Sequence, residues 1–297
     1  MSNFKTNDYW VKSLLVQGNV RAVALSATEL LQKTSAMHKL DAIFSITALG
    51  EALMSGLLLG SYCKKGERVN LNIQSSGAIK QALVDARTDG SVRGYVLEKE
   101  TPDHRSPHNL QGPWGDGMLS VLRTKEMEKQ QPYIGTVPLV TGHLAKDLAF
   151  YWLQSEQIPT TIGLSVEFEN QKLISAMGFL IQALPGAEDQ DLKTIEKQVE
   201  DLSIHQKGCL SFAKDPKQLL SEIFKDYAFS IIEEQSLSFS CDCSFDKVRR
   251  ALSLVGKEEL QSILDTDKLV QVDCDFCACS YRVEEAEIKL LLDKLKN

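Results

Sequence analysis

Four cysteines near the C-terminal end carry the most specific chemistry in this chain. They stand as two tight pairs, Cys241-Asp242-Cys243 and Cys274-Asp275-Phe276-Cys277, with thirty residues between them. Two thiolates on one turn grip a soft metal ion, and a second pair brought alongside by folding completes tetrahedral coordination. A lone C-x-x-C is shared by redox enzymes and zinc sites, whereas the paired form is far more specific. The one-residue spacer of the C-x-C half is a tight bite, and a disulfide across it would be strained and easily reduced. The spacing leaves three readings open: a structural zinc knuckle, a zinc site that oxidation switches, and a metal-free dithiol enzyme.

The surroundings are acidic, with Asp242, Asp246, Asp273 and Asp275 close in sequence. Asp246 is placed to open a helix running to about Leu254. The other carboxylates would enrich the thiolates' electron density, with Arg249 and Arg250 offsetting part of the charge. Cys279 makes a second C-x-C with Cys277, and is read as a bystander thiol. Cys63 and Cys209 stand alone, as buried apolar filler does. His104 and His108 are four apart, but Pro102 and Pro107 break any helix that would align them. No G-x-S-x-G, phosphate-binding glycine loop or H-E-x-x-H occurs, so the expectation is a protein that is not an enzyme.

Holding such a cluster requires a folded frame, and the 297 residues allow about two domains. The net charge of −7 offers no basic field for a phosphate backbone, which disfavours nucleic acid as a partner. Seven cysteines, four at ligand spacing, fit a reducing cytoplasm better than a disulfide framework. Met1-Ser2-Asn3-Phe4-Lys5 has no apolar h-region and reads against secretion. Ala42–Tyr62 is nearly continuous apolar or small, but Glu51 at its middle favours a buried core helix over a membrane span.

Ser26-Ala27-Thr28-Glu29 reads as a capping box, opening a helix through about Ala36. The core helix follows from about Leu40. Strands are expected at Arg68–Gln74, at Leu83–Arg87 and Val92–Leu97 about a primed Asp89-Gly90 turn, at Met118–Leu122, and at Tyr133–Pro138. A long Pro-rich loop spans Glu100–Gly117. A helix is expected over Leu144–Ser155, then a hairpin, Thr161–Phe168 and Lys172–Leu184, about Asn170-Gln171. Past Pro185-Gly186 the apolar residues thin to a stripe, Leu192, Ile195, Val199 and Leu202, at helical spacing. With the apolar block Leu219–Ile232, this stretch reads as a helical connector docked on something else. The fold class is α+β: an N-terminal mixed α/β-layer domain over 1–186, a helical connector over 187–240, and a zinc module over 241–297. A module under sixty residues is marginal without a staple, and four thiolates on zinc supply one.

Several motifs in order resemble the 33 kDa chaperonin family of redox-regulated heat-shock holdases. They are Gly77–Gly94, Gly135-Thr136-Val137-Pro138-Leu139-Val140, Ser155-Glu156-Gln157-Ile158-Pro159, Gly178-Phe179-Leu180-Ile181-Gln182 with Pro185-Gly186, and Cys241-Asp242-Cys243-Ser244. The resemblance covers essentially the whole chain, and Tyr281 falls where the family often has an aromatic. It implies that Cys241, Cys243, Cys274 and Cys277 hold one Zn²⁺ per monomer in the reduced state and keep the chaperone off. It further implies that oxidants form the disulfides Cys241–Cys243 and Cys274–Cys277 and release zinc. The module and then the connector would unfold to capture unfolding client proteins without ATP, with homodimerisation on activation. Cys279 is not a ligand position of that motif, and opens the oxidised pairing to exchange. Two rivals remain from other classes, a zinc-ribbon nucleic-acid binder and a dithiol oxidoreductase.

Overall fold

The computed structural model describes residues 3–16, 19–98, 114–125, 133–205, 210, 213, 215–266 and 269–294. Residues 100–113 of the stretch expected to be a loop, with His104 and His108, and Cys209 lie outside the described residues. The chain divides into two compact units, Phe4–Phe239, and Met1–Asn3 with Ser240–Asn297.

The larger unit opens with β1 (Phe4–Leu15), β2 (Val20–Ser26), α1 (Thr28–Met37) and α2 (Ile43–Ser61). Three strands follow, β3 (Glu67–Ser75), β4 (Ile79–Arg87) and β5 (Ser91–Glu98), then β6 (Gly117–Lys125) and β7 (Tyr133–Leu139). It continues with α3 (Leu144–Glu156), β8 (Thr160–Glu169), β9 (Lys172–Ala183), α4 (Asp189–His205), α5 (Pro216–Ile223) and β10 (Phe229–Phe239). The strands form one sheet in the order β7-β6-β3-β4-β5-β10-β1-β2-β9-β8. Every adjacent pair is antiparallel except β10 with β5.

Helix α2 is the buried centre expected of Ala42–Tyr62, and strands from both halves of the sheet contact it. Its small residues permit that closeness: a Cβ added at Gly56 would lie 2.5 Å from Val84 Cγ1. Both expected hairpins form, but Asp89-Gly90 is not the primed turn expected there, because Gly90 takes positive φ and Asp89 does not. Asn170 and Gln171 take φ of 48° and 66°, as a type I′ turn demands. At the other turn, Gly90 has φ 75°, and an added Cβ would lie 2.3 Å from the Ser236 carbonyl oxygen of β10. Only glycine admits that approach.

Two local expectations are corrected. Helix α1 is not opened by a capping box: its N-cap is Ala27, which makes no side-chain cap bond. The Leu30 amide instead donates to Asp8 Oδ2 of β1 at 2.7 Å, and Glu29 accepts from the Asn7 amide at 2.7 Å. A neighbouring strand supplies what a local side chain was expected to give. The connector is helical through α4 and α5, but Phe229–Phe239 is strand β10, paired along β1. A short apolar block reads alike at either period, and its sheet partner is over 200 residues away in sequence.

The connector helices dock within the larger unit. Leu192, Ile195, Val199 and Leu202 of α4 and Leu219, Leu220 and Ile223 of α5 pack on Val11, Ala22, Ala24, Met177, Phe179 and Ile181. These last residues alternate along β1, β2 and β9 with others that face inward, so the strands are covered on both faces. That explains the unbroken apolar run of β9.

Glu51 gives this core a pH dependence. The residue as a whole is half-buried, but its carboxyl is deeply buried and accepts from Trp114 Nε1 at 2.8 Å. Burial pushes its pKa from 4.5 up to about 7, the Trp114 bond opposing only part of the rise. An unfolded chain ionises this group earlier, so the folded state loses stability as pH rises from about 4.5 through 7. Glu51→Gln removes that loss, and should gain on wild type across this window by up to about 3 kcal/mol. Chemical denaturation at a series of pH values measures it. A stability difference that stays flat with pH would refute the assignment.

Candidate metal centre

The smaller unit contains α6 (Phe245–Val255), α7 (Lys257–Thr266), β11 (Leu269–Asp273), β12 (Ser280–Glu284) and α8 (Glu285–Lys294). Its core is short: Val248, Leu252, Leu260, Val283, Ile288, Leu291 and Leu292, with Val270, Val272 and Tyr281 against them. Ser244, not Asp246, is the N-cap of α6, its hydroxyl accepting from the Lys247 amide at 3.3 Å. Asp246 lies in the first turn, where a carboxylate still favours the helix dipole.

The two cysteine pairs reach one place from different elements. Cys241 and Cys243 lie on the extended segment before α6, and the Cys241 amide donates to Asn3 Oδ1 at 2.7 Å. Cys274 and Cys277 occupy the turn between β11 and β12. There the Cys277 and Ala278 amides donate to the Cys274 carbonyl at 3.2 and 2.8 Å. Ala278 takes φ 52°, the left-handed conformation that completes the turn. The four sulfurs all lie within 4.8 Å of one another. Cys241 Sγ is 3.8 Å from Cys274 Sγ, and Cys243 Sγ is 3.4 Å from Cys277 Sγ.

These distances fit a metal. A tetrahedron with metal–sulfur bonds of about 2.3 Å has edges of about 3.8 Å. The described cysteines form no disulfide. Burial pushes the Cys274 thiol up to about 11, so without a cation this thiol resists ionisation. A divalent cation reverses that preference, because a coordinating thiol loses its proton outright. Tyr281 supports the site from β12: its hydroxyl donates to Cys243 Sγ at 3.0 Å. Such outer bonds orient ligands and moderate their charge.

The charge expected from the neighbours is distributed differently. Arg249 Nε pairs with Glu287 at 2.6 Å and stacks on Phe245, so it braces α6 against α8. Asp242 pairs with Lys247 at 2.6 Å. Cys279 falls outside the group of four. Cys63 belongs to the larger unit, where burial raises its thiol to about 11, as suits packing filler.

The family model described as Hsp33 protein matches residues 8–284. The 33 kDa chaperonin of Limosilactobacillus fermentum is 35% identical over 294 residues, covering 96% of this chain and 98% of that protein. That of Geobacter sulfurreducens is 34% identical over 292 residues, covering 97% of this chain and 96% of its own. The crystal structure of the Thermotoga maritima 33 kDa chaperonin superposes with a TM-score of 0.84 at 26% identity, covering 98% of this chain and 99% of that one.

The left-handed residue at the turn yields a test. A β-branched side chain is a poor occupant of that conformation, and strain there costs about 1–3 kcal/mol. Ala278→Val should therefore speed hydrogen exchange in Leu269–Glu284 by about fivefold or more, while Ala278→Gly should not speed it. Equal exchange in the two variants would show that the turn geometry is wrong.

Proposed function

The chain belongs to the Hsp33 family, and from that premise we propose that it is an ATP-independent holdase switched on by oxidation. Its relatives are named chaperonins, so its partners are proteins losing their fold. In the reduced state Cys241, Cys243, Cys274 and Cys277 hold one zinc per monomer. The bound ion supplies the four sulfurs with a common counter-charge, and structural zinc stabilises such modules by roughly 10–16 kcal/mol. A hydroperoxide takes two electrons from each pair and leaves as water and alcohol, joining Cys241 to Cys243 and Cys274 to Cys277, so that the sulfurs are no longer thiolate ligands. The small core around Leu260, Val283 and Ile288 is then too little to hold the module folded.

The observation that carries this reading is the apolar sheet face beneath α4 and α5. The chain runs from α5 through β10 into Cys241, so unfolding of the module would pass through β10 to reach the connector helices. Release of the connector would uncover Val11, Ala22, Met177, Phe179 and Ile181, now buried. Exposed apolar area of that kind captures unfolding chains without directional chemistry. Functionally the chain then has three parts, the core 1–186, the connector 187–240 and the switch 241–297, acting in the cytoplasm and pairing into homodimers when active.

The direct test combines zinc content, thiol count and suppression of aggregation of a heat-unfolding protein, before and after hydrogen peroxide. Zinc release and suppression should rise together, while the reduced chain suppresses little. Suppression that is equally strong in the reduced, zinc-loaded chain would contradict the switch. Cys241→Ser and Cys274→Ser should weaken zinc binding by at least tenfold, and Cys63→Ser should leave it unchanged. Full zinc retention in a chain lacking both Cys241 and Cys243 would sink the ligand assignment. Hydrogen exchange after oxidation should rise steeply from about Ala187 onward and stay low across Ile43–Ser61.

A further inference from the structure

The hairpin that carries the second cysteine pair also carries a fifth thiol, and the strand register sets its partner. Along β11 and β12, Val270 stands opposite Val283, Val272 opposite Tyr281, and Asp273 opposite Ser280. One further step of that register brings Cys274 opposite Cys279. The bond from the Cys274 amide to the Cys279 carbonyl, 2.9 Å, joins these two residues. Opposed residues project from the same face of a sheet. Here it is the face of Val270, Val272, Tyr281 and Val283, which packs into the module's core. Opposed Cα atoms of antiparallel strands lie about 4.5–5.5 Å apart, inside the range of roughly 4.4–6.8 Å that a disulfide spans. Cys274 therefore has two partners within reach of small movements: Cys277 across the turn and Cys279 across the ladder.

We propose that Cys279 is an exchange thiol that moves the disulfide of the turn onto the ladder. The inference rests on the reading of the four-cysteine cluster as an oxidisable site. A hydroperoxide converts one thiolate of the Cys274, Cys277 pair to a sulfenic acid, with hydroxide or alkoxide leaving. The thiol of the pair then displaces water, and the Cys274–Cys277 bond forms. The Cys279 thiolate attacks Cys274 Sγ. The Cys274–Cys279 bond forms, the Cys274–Cys277 bond breaks, and Cys277 leaves as a thiolate with the electron pair. This last step is an isomerisation with no net oxidation. The turn-closing disulfide links residues within one turn and leaves β11 and β12 held by hydrogen bonds alone. The cross-strand disulfide staples the two strands and returns one ligand thiol to the site.

Disulfide mapping of the full chain after hydrogen peroxide tests this. Cys277→Ser, oxidised and then alkylated with iodoacetamide under denaturing conditions, should lose alkylation at both Cys274 and Cys279 and yield a Cys274–Cys279 link. The Cys277→Ser, Cys279→Ala double variant should keep Cys274 open to alkylation. Because loss of a ligand can unfold the module, fragmentation of the oxidised wild-type peptide supplies the second readout. It should place part of the disulfide between Cys274 and Cys279, and none of that linkage in Cys279→Ala, whose zinc content when reduced should equal that of wild type. Only Cys274–Cys277 linkage in wild type, with Cys274 alkylated alike in the single and double variants, overturns the exchange. A wild-type chain that keeps every cluster thiol after peroxide overturns the underlying reading instead.

Discussion

Four sulfurs within 4.8 Å of one another are the constraint on which the smaller unit depends. As thiolates they repel, and as buried thiols they fill space that a short apolar core needs for stability. A shared cation would resolve both costs and would tie the module's fold to its ligand state. The local structure serves that convergence: Ala278 accepts a left-handed turn, Tyr281 donates to Cys243, and Asn3 holds the Cys241 amide.

The larger unit shows what such an equilibrium can control. Its sheet is covered on both faces around β1, β2 and β9, but by elements of different character. The inner cover is α1 and α2, of which α2 is apolar along nearly its whole length and packs on strands of both halves of the sheet. The outer cover is α4 and α5, of which α4 presents only a narrow stripe and is otherwise polar. A helix held by one stripe leaves its site at lower cost than a helix buried all round. On the proposed reading, its departure would uncover the apolar face of β1, β2 and β9.

The metal-ligand spacing, the central helix and both hairpins were legible in the sequence because each is a local pattern. Asn170-Gln171 and Asp89-Gly90 declare their turns through backbone chemistry, and the stripe of α4 declares its docking face. The rest depends on distant partners. Strand β10 became a strand by pairing with β1 from the other end of the unit. The cap of α1 comes from Asp8, twenty-two residues upstream of the amide it serves. Asn3 joins the cysteine module across most of the chain, a contact that no spacing rule reaches. The Cys274, Cys279 opposition lies between these extremes: the residues are only five apart in sequence, but only the register shows that they face one another.

X-ray absorption at the zinc edge reads the central claim most directly, because it reports the atoms around the ion in the intact chain. Four sulfurs at about 2.3 Å are predicted for the reduced protein. After hydrogen peroxide the sulfur shell should be gone, replaced by oxygen from water and buffer. A nitrogen or oxygen ligand in the reduced chain, or a four-sulfur shell that survives full oxidation, would contradict the account.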